Sequence, residues 1–227
     1  MEFTSLRYRP QTAEAPHPIF RFEPAIHLCS GEKVGAFVET HRQFAEQPKF
    51  GPATGTITPL SAGEWLAAHI ADIVLATAHY GVVDRPIVVN APSACLSDRA
   101  TPALCLEQIT NSPLCAQEFS LEFENAAFET CDLETMAAVR PFRQRGFRVS
   151  VDARRNWTTH IPAHVWLMVD TLRIHAEQFE TDIALQDTVS AASQAGVSIV
   201  AVGARWRDGE ALAEHGICYG IKPRTDA

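Results

Sequence analysis

The sequence predicts an α/β chain: a closed or nearly closed parallel (β/α) barrel, with an antiparallel hairpin at its start that is anomalous for a regular barrel. Three observations predict it. About eight strand-like runs can be counted, most of the later ones are separated by helical segments, and the first two are joined by a turn too short for a parallel crossover. The 227 residues suit one large domain, since barrels of this class commonly run 200 to 250 residues as a single unit.

Taken in chain order, the first 18 residues are rich in Pro, Arg and Thr and read as a loosely held arm, leaving 19–227 as the folded domain. Two extended runs follow, 19–28 and 33–39, joined by the turn signal Ser30-Gly31; this is the predicted hairpin. The Pro/Gly/Thr-rich stretch 46–59 reads as a loop. In "LSAGEWLAAHIADIVLATAHYG", Ser61 and Glu64 have capping-box spacing, and Trp65, Leu66, Ile70, Ile73, Val74 and Thr77 recur at helical spacing up to Gly81. "RPIVVNAP" then supplies a short apolar run, as expected of a strand buried on both faces. Helix 100–110 precedes strand "FSLEFEN", and helix 132–144, with Pro141 as a kink, precedes "FRVSVD". "VWLMVD" reads as the next strand, followed by a helix over 177–194. "VSIVAVG", a helix over 208–214 and a last short strand in "ICYGI" complete the alternation.

Composition narrows the function classes. With 46% hydrophobic and 20% charged residues there is material for a core and no case for disorder. A net charge of −8 argues against nucleic acid or an anionic membrane as partner. The six cysteines form no CxxC pair and no zinc-ligand spacing. No signal peptide or membrane span is legible, so a cytoplasmic chain is expected. The phosphate-binding and nucleophile-elbow motifs G-x-x-x-x-G-K-[ST], G-x-G-x-x-G and G-x-S-x-G do not occur. Nine histidines, among them His69, His79, His160, His164, His175 and His215, show no ligand spacing and read as core or surface residues.

In barrels of this kind, functional groups sit at the carboxyl ends of the strands. That census gives Asn90, Glu122 and Glu124, Asp152, Asp170 and Gly203. Oxygen donors at successive strand ends suit Mg²⁺ or Mn²⁺. Asn and Asp at such positions also cap helices and turns, and the ordered set leaves both readings open.

Six segments carry a resemblance: "EPAIHLCSGEKVGAFVETH", "IVVNAPSACL", "FSLEFENAAF", "RGFRVSVDARRNW", "HVWLMVD" and "VGARWRDGEALAEHGICYGIKP". In order and spacing, over residues 19 to 223, they resemble the EAL domain, the family of cyclic di-GMP phosphodiesterases. The resemblance implies the EAL fold, a TIM-like barrel whose first strand runs backwards. It also implies where function has been lost. The family's Glu-Ala-Leu falls on Phe37, Val38 and Glu39, and the Gln of its Q-P-I falls on Glu23. The second Asp of its D-D-F-G-T-G falls on Ala153, within a run continuing through Arg154, Arg155, Asn156 and Trp157. The Lys of its I-K-I-D is assigned to Met168, and both acids of E-G-V-E are lost in Val202 to Arg205. Asn90, Glu122, Asp152 and Asp170 stand at matching functional positions.

A two-metal phosphodiester hydrolysis needs an anionic clamp around two dications. With those ligands replaced, the expectation is a catalytically inactive, degenerate domain with no catalytic residue, no metal and no cofactor, acting by binding another protein. Motility or biofilm signalling follows by family analogy alone. The alternative is a non-hydrolysing cyclic di-GMP receptor, with Asn90, Glu122, Asp152, Arg154 and Arg155 lining the pocket; residual single-metal turnover is a third reading. Arg154, Arg155 and Trp157 also read as an interface patch, because Arg and Trp are enriched at hot spots.

Overall fold

A computed structural model describes residues 20–40, 61–128, 133–155 and 161–222. The arm 1–18, His41 and Arg42, the loop 46–59, and Asn156, Trp157 and His160 lie outside these. Eight strands close a barrel in sequence order: β1 Phe20–His27, β2 Lys33–Thr40, β3 Ile87–Asn90, β4 Phe119–Glu124, β5 Arg148–Asp152, β6 Thr171–His175, β7 Ser198–Val202 and β8 Tyr219–Ile221. β1 is antiparallel to both β2 and β8, and every other neighbouring pair is parallel. The reversed strand follows from the tight turn after His27, where the N–H of Gly31 donates to the His27 carbonyl at 2.8 Å. Gly31 has φ +73, a left-handed conformation that side chains other than glycine resist.

Helices cover the outside: α1 Ala62–Tyr80, α2 Thr101–Thr110, α3 Leu133–Gln144, α4 Ala163–Trp166, α5 Ala176–Thr181, α6 Ile183–Gln194 and α7 Gly209–Glu214. The capping box of α1 is formed in both directions, with Ser61 Oγ accepting from Glu64 N–H and Glu64 Oε2 accepting from Ser61 N–H. Its apolar face, Leu66, Ile70, Ile73 and Val74, is buried against the barrel wall. Gly63 lets α2 approach closely, since a Cβ there would sit 2.4 Å from Thr101 Oγ1.

Two predicted elements differ. The run 165–170 is not a strand: 163–166 form the short helix α4, and β6 begins only at Thr171. A five-residue apolar run ending in Asp fits either state by composition, and here Val165 and Trp166 bury as a helical turn while Leu172 and Ile174 supply the strand. The helix expected over 177–194 is broken at Asp182, whose extended backbone ends α5 and whose carboxylate caps α6 by accepting from the Ala184 and Leu185 N–H groups.

The core has two parts. Most buried apolar side chains lie in one large cluster that includes the faces of α1 and the outward residues of β3 to β7, such as Ile87, Leu121, Val149, Leu172 and Ile199. A second, smaller cluster joins Ala25, Phe37, Val88, Val200 and Ile221. Because strand residues alternate between faces, the positions alternating with the first set share the other face. On β4, β5 and β6 these are Ser120 and Glu122, Ser150 and Asp152, and Thr171, Arg173 and His175. No described helix is long and apolar enough to cross a membrane.

Candidate functional site

The carboxyl ends of β3, β4 and β5 carry Asn90, Glu122 and Asp152 on neighbouring strands. Asn90 lies opposite Glu122, and Glu124 lies opposite Asp152. Asn90 and Glu124 are exposed, Asp152 is half-buried, and Glu122 is only 2% exposed. Three of the four matching positions are therefore brought together.

Asp170 is not. It precedes β6 and sits at the amino-terminal end of the barrel, where its Oδ2 accepts the Val149 N–H at 2.8 Å and pairs with Arg143. The shift follows from α4 occupying the expected strand. At the carboxyl end of β6 stand Arg173 and His175 instead, so the run Leu172-Arg173-Ile174-His175 occupies the place assigned by resemblance to Met168 and Asp170. The cation thought lost to Met168 has a counterpart after all.

Arg173 is the central side chain of the site. It is 3% exposed, its Nη1 donates to Glu122 Oε2 at 2.8 Å, and its Cζ lies 4.5 Å above the ring centroid of Phe37 on β2. Burial pushes the Glu122 carboxyl above its usual range, with Arg173 pulling the other way. Glu122 Oε1 and Arg173 Nε are buried with no hydrogen-bond partner among the described residues.

Asp152 has its own guanidinium. Arg154 Nε donates to Oδ1 at 2.8 Å and Nη2 to Oδ2 at 2.7 Å, and the Arg154 N–H adds a third bond to Oδ1 at 3.1 Å. Burial alone would raise this carboxyl; the bonds from Arg154 more than offset it and hold Asp152 below the ordinary carboxylate range. Arg154 is thus folded back on its neighbour, and of the expected Arg154–Arg155 surface only Arg155 is exposed. Glu23 on β1 lies opposite Phe37, pairs with Arg21 at 3.3 Å and contributes to the field at Arg154. His175, beside Arg154 and Arg173, is held below its usual value by burial first and by those cations second.

Chemically, this is a pocket in which carboxylates and guanidiniums alternate. Among the described residues no three His, Cys, Asp or Glu side chains are grouped to hold a metal ion. The oxygen donors that Mg²⁺ or Mn²⁺ would require are present in Asn90, Glu122 and Asp152, but both acids face a bound cation. The set does not fit a two-metal clamp. Sequence reasoning missed Arg173 and His175. The available signal was a charged residue inside "TLRIH", a strand otherwise apolar or neutral.

Comparison with solved structures places the architecture. Klebsiella pneumoniae BlrP1 in complex with calcium and cyclic di-GMP matches at a TM-score of 0.71, with 12% identity over 96% of this chain and 57% of that one. The EAL domain of Mycobacterium smegmatis DcpA matches at 0.66, with 18% identity over 91% of this chain and 90% of that one. The fold is that of EAL domains. The PaMucR phosphodiesterase, in complex with cyclic di-GMP, matches at 0.67 with 16% identity over 90% of this chain and 89% of that one. The chain thus spans little more than half the length of BlrP1 and nearly all of the other two. No family model and no curated protein sequence matches the chain. The guanidinium pairs just described lie at the carboxyl ends of the strands, the mouth of the barrel.

Proposed function

We propose that this chain is a non-hydrolysing domain of the EAL fold that acts as a regulatory protein-binding module. The observation that carries the first half is Asp152, both of whose carboxylate oxygens are taken by Arg154. Buried Phe37 and Ala153 add to it, since neither offers an oxygen where the resemblance calls for a metal ligand. Without an anionic clamp, no water is activated at neutral pH, and what remains for the domain is recognition.

The second half is supported by Arg205, Trp206 and Arg207. All three are exposed, Trp206 at 57%, and an exposed Trp between two Arg is the composition of an interface anchor. A cytoplasmic role in motility or biofilm signalling belongs to the same proposal by analogy of fold. Affinity capture with the tagged chain from source-cell lysate is expected to recover a stoichiometric partner, and Trp206→Ala to release it. Turnover of cyclic di-GMP that disappears in Asp152→Ala would overturn the non-hydrolysing half; failure to capture any partner would overturn the other.

A receptor for cyclic di-GMP is the second reading. It is favoured by Arg155, exposed beside Arg154 at the mouth, and by the cyclic di-GMP complexes of BlrP1 and PaMucR. Calorimetric titration with cyclic di-GMP, with and without Mg²⁺ or Ca²⁺, decides it: heat of binding at tens of micromolar protein supports the receptor, and its absence removes it.

A further inference from the structure

Away from the mouth, a cavity of about 400 Å³ lies between α6 and α7, with Phe179 of α5 in its lining. Both helices run back towards the amino-terminal end of the barrel, α6 to enter β7 and α7 to enter β8, and their ends meet where Gly216 passes Ser193. A Cβ on Gly216 would lie 2.2 Å from Ser193 Oγ, so the two ends can close on each other only around a glycine. The lining is one-sided in its chemistry. Gln186 donates from its amide Nε2 to the Phe179 carbonyl at 2.9 Å, and Gln194 donates from its own to Ser190 Oγ at 3.1 Å. Both amide nitrogens are thus engaged by the protein, and neither side-chain carbonyl accepts a bond from a described residue. Glu214 adds an exposed carboxylate with no ion-pair partner among the described residues. No Lys or Arg is among the described residues that line the cavity. The carboxyl end of α6 brings the negative end of a helix dipole to the same place. Phe179 and His215, packed edge to face with ring centroids 5.3 Å apart, supply an aromatic wall.

A carboxylate and two amide oxygens beside an aromatic wall select among ligand chemistries. An anion would find no fixed positive charge to answer it. A metal ion is a poor occupant, because Ca²⁺ takes about six to eight oxygens in close contact, and among the described residues no three His, Cys, Asp or Glu are grouped to hold an ion. A planar guanidinium suits every part of the lining: it presents a rigid fork of N–H donors, it carries the charge that Glu214 lacks a partner for, and it stacks on rings. The excess of 27 acidic over 19 basic residues favours cationic ligands over the whole chain. We infer that this cavity binds a guanidinium group, carried either by a free guanidino compound or by an arginine side chain of another polypeptide. The inference stands apart from the barrel mouth and from the Trp206 surface, and does not rest on either.

N-acetyl-arginine amide is the probe, titrated into the full chain labelled with nitrogen-15 and followed by amide chemical shifts. The expected result is a saturable set of shifts, in the millimolar range, confined to the surroundings of Ser193, Gln194 and Gly216 and to the side-chain amides of Gln186 and Gln194. N-acetyl-citrulline amide has nearly the same shape without the charge and should bind at least roughly ten-fold more weakly. Glu214→Gln changes an exposed side chain and should weaken the arginine probe by about three- to five-fold, the scale of one solvent-exposed ion pair. His215→Ala, also at an exposed position, should weaken it further by removing half of the aromatic wall. Two further probes separate the sources: tighter binding of 1-butylguanidine assigns a free guanidino compound, and tighter binding of a Gly-Arg-Gly peptide blocked at both ends assigns an arginine of a partner chain. Absence of local shifts at tens of millimolar probe overturns the inference. So does a citrulline probe that binds as tightly as the arginine one, or a Glu214→Gln variant whose affinity for the arginine probe is unchanged.

Discussion

The two ends of the barrel use the same chemistry in different solvents. At the amino-terminal end, Arg85 pairs with Glu118 at 2.9 Å, Arg143 with Asp170 and Lys33 with Asp84 at 3.8 Å, and all six side chains keep a fifth or more of their surface in water. At the mouth, Arg173 pairs with Glu122 at 2.8 Å with side chains only 3% and 1% exposed, and the Arg154–Asp152 pair is 20% and 12% exposed. A pair in water is screened, and losing it costs little. A pair in the barrel interior survives only because each charge answers the other, so removing one partner leaves a charge that nothing solvates. The amino-terminal pairs stay in contact with water, whereas the mouth pairs hold Glu122 and Asp152 against guanidiniums in the barrel interior.

The sharpest test of that contrast is Arg173→Ala. It should destabilise the chain by about 3–5 kcal/mol in denaturant unfolding, because Glu122 is left buried and unpaired. Replacing both partners, Glu122→Leu with Arg173→Met, should recover most of the loss; a double variant as unstable as the single one would show that the pair itself stabilises the fold.

A second test is acid. His69 on α1 is stacked on Trp65 and lies against Phe20, at the mouth end of β1, and burial lowers its pKa to about 4. Its folded value lies below its unfolded value of 6.5, so its contribution is complete above pH 6.5 and is lost as pH falls towards 4, by roughly 3 kcal/mol at the lower limit. Melting temperatures across that window should fall in the wild type and flatten in His69→Phe. Asp152 adds its own loss lower down. Its carboxyl is held below the ordinary range, so its stabilisation is present above about pH 4 and disappears as pH falls through the folded value.

Arg154→Ala should come next, at about 1.5–3 kcal/mol, the scale of a charge-assisted hydrogen bond lost at a half-buried site. The smallest effect is expected at the opposite end, where Arg85→Ala should cost less than about 1 kcal/mol and less still in high salt. An Arg85 variant as damaging as Arg173→Ala would erase the distinction between the two ends.

Much of the barrel was legible before any coordinates. The capping box of Ser61 and Glu64, the stop at Gly81, the turn at Ser30-Gly31 and the short apolar strands at 87–90 and 119–124 are local signals, and local signals survive folding. The mouth was legible in part. Asn90, Glu122 and Asp152 were readable because a strand end is itself a sequence feature. Asp170 was misplaced because "VWLMVD" satisfies strand composition as well as the short helix and turn it forms, and moving the strand by a few residues moved the acid to the other end of the barrel. Arg154 was read as surface because a string of letters does not show that a guanidinium can fold back two residues onto its own neighbour.

What the sequence by itself determined is most of the alternation of strands and helices, the antiparallel hairpin at the start and the arrival of Asn90, Glu122 and Asp152 at the mouth, all written in patterns shorter than a single element. What only the tertiary structure decided is who answers those acids. Glu122 and Arg173 are 51 residues apart, on strands separated by a third, and they meet because closure of the barrel fixes the register of β4, β5 and β6 and points alternate residues inward. Phe37 comes to the same guanidinium from β2. Charge pairing over such separations depends on position in space and on the loss of water around it, and neither is present until the barrel has closed.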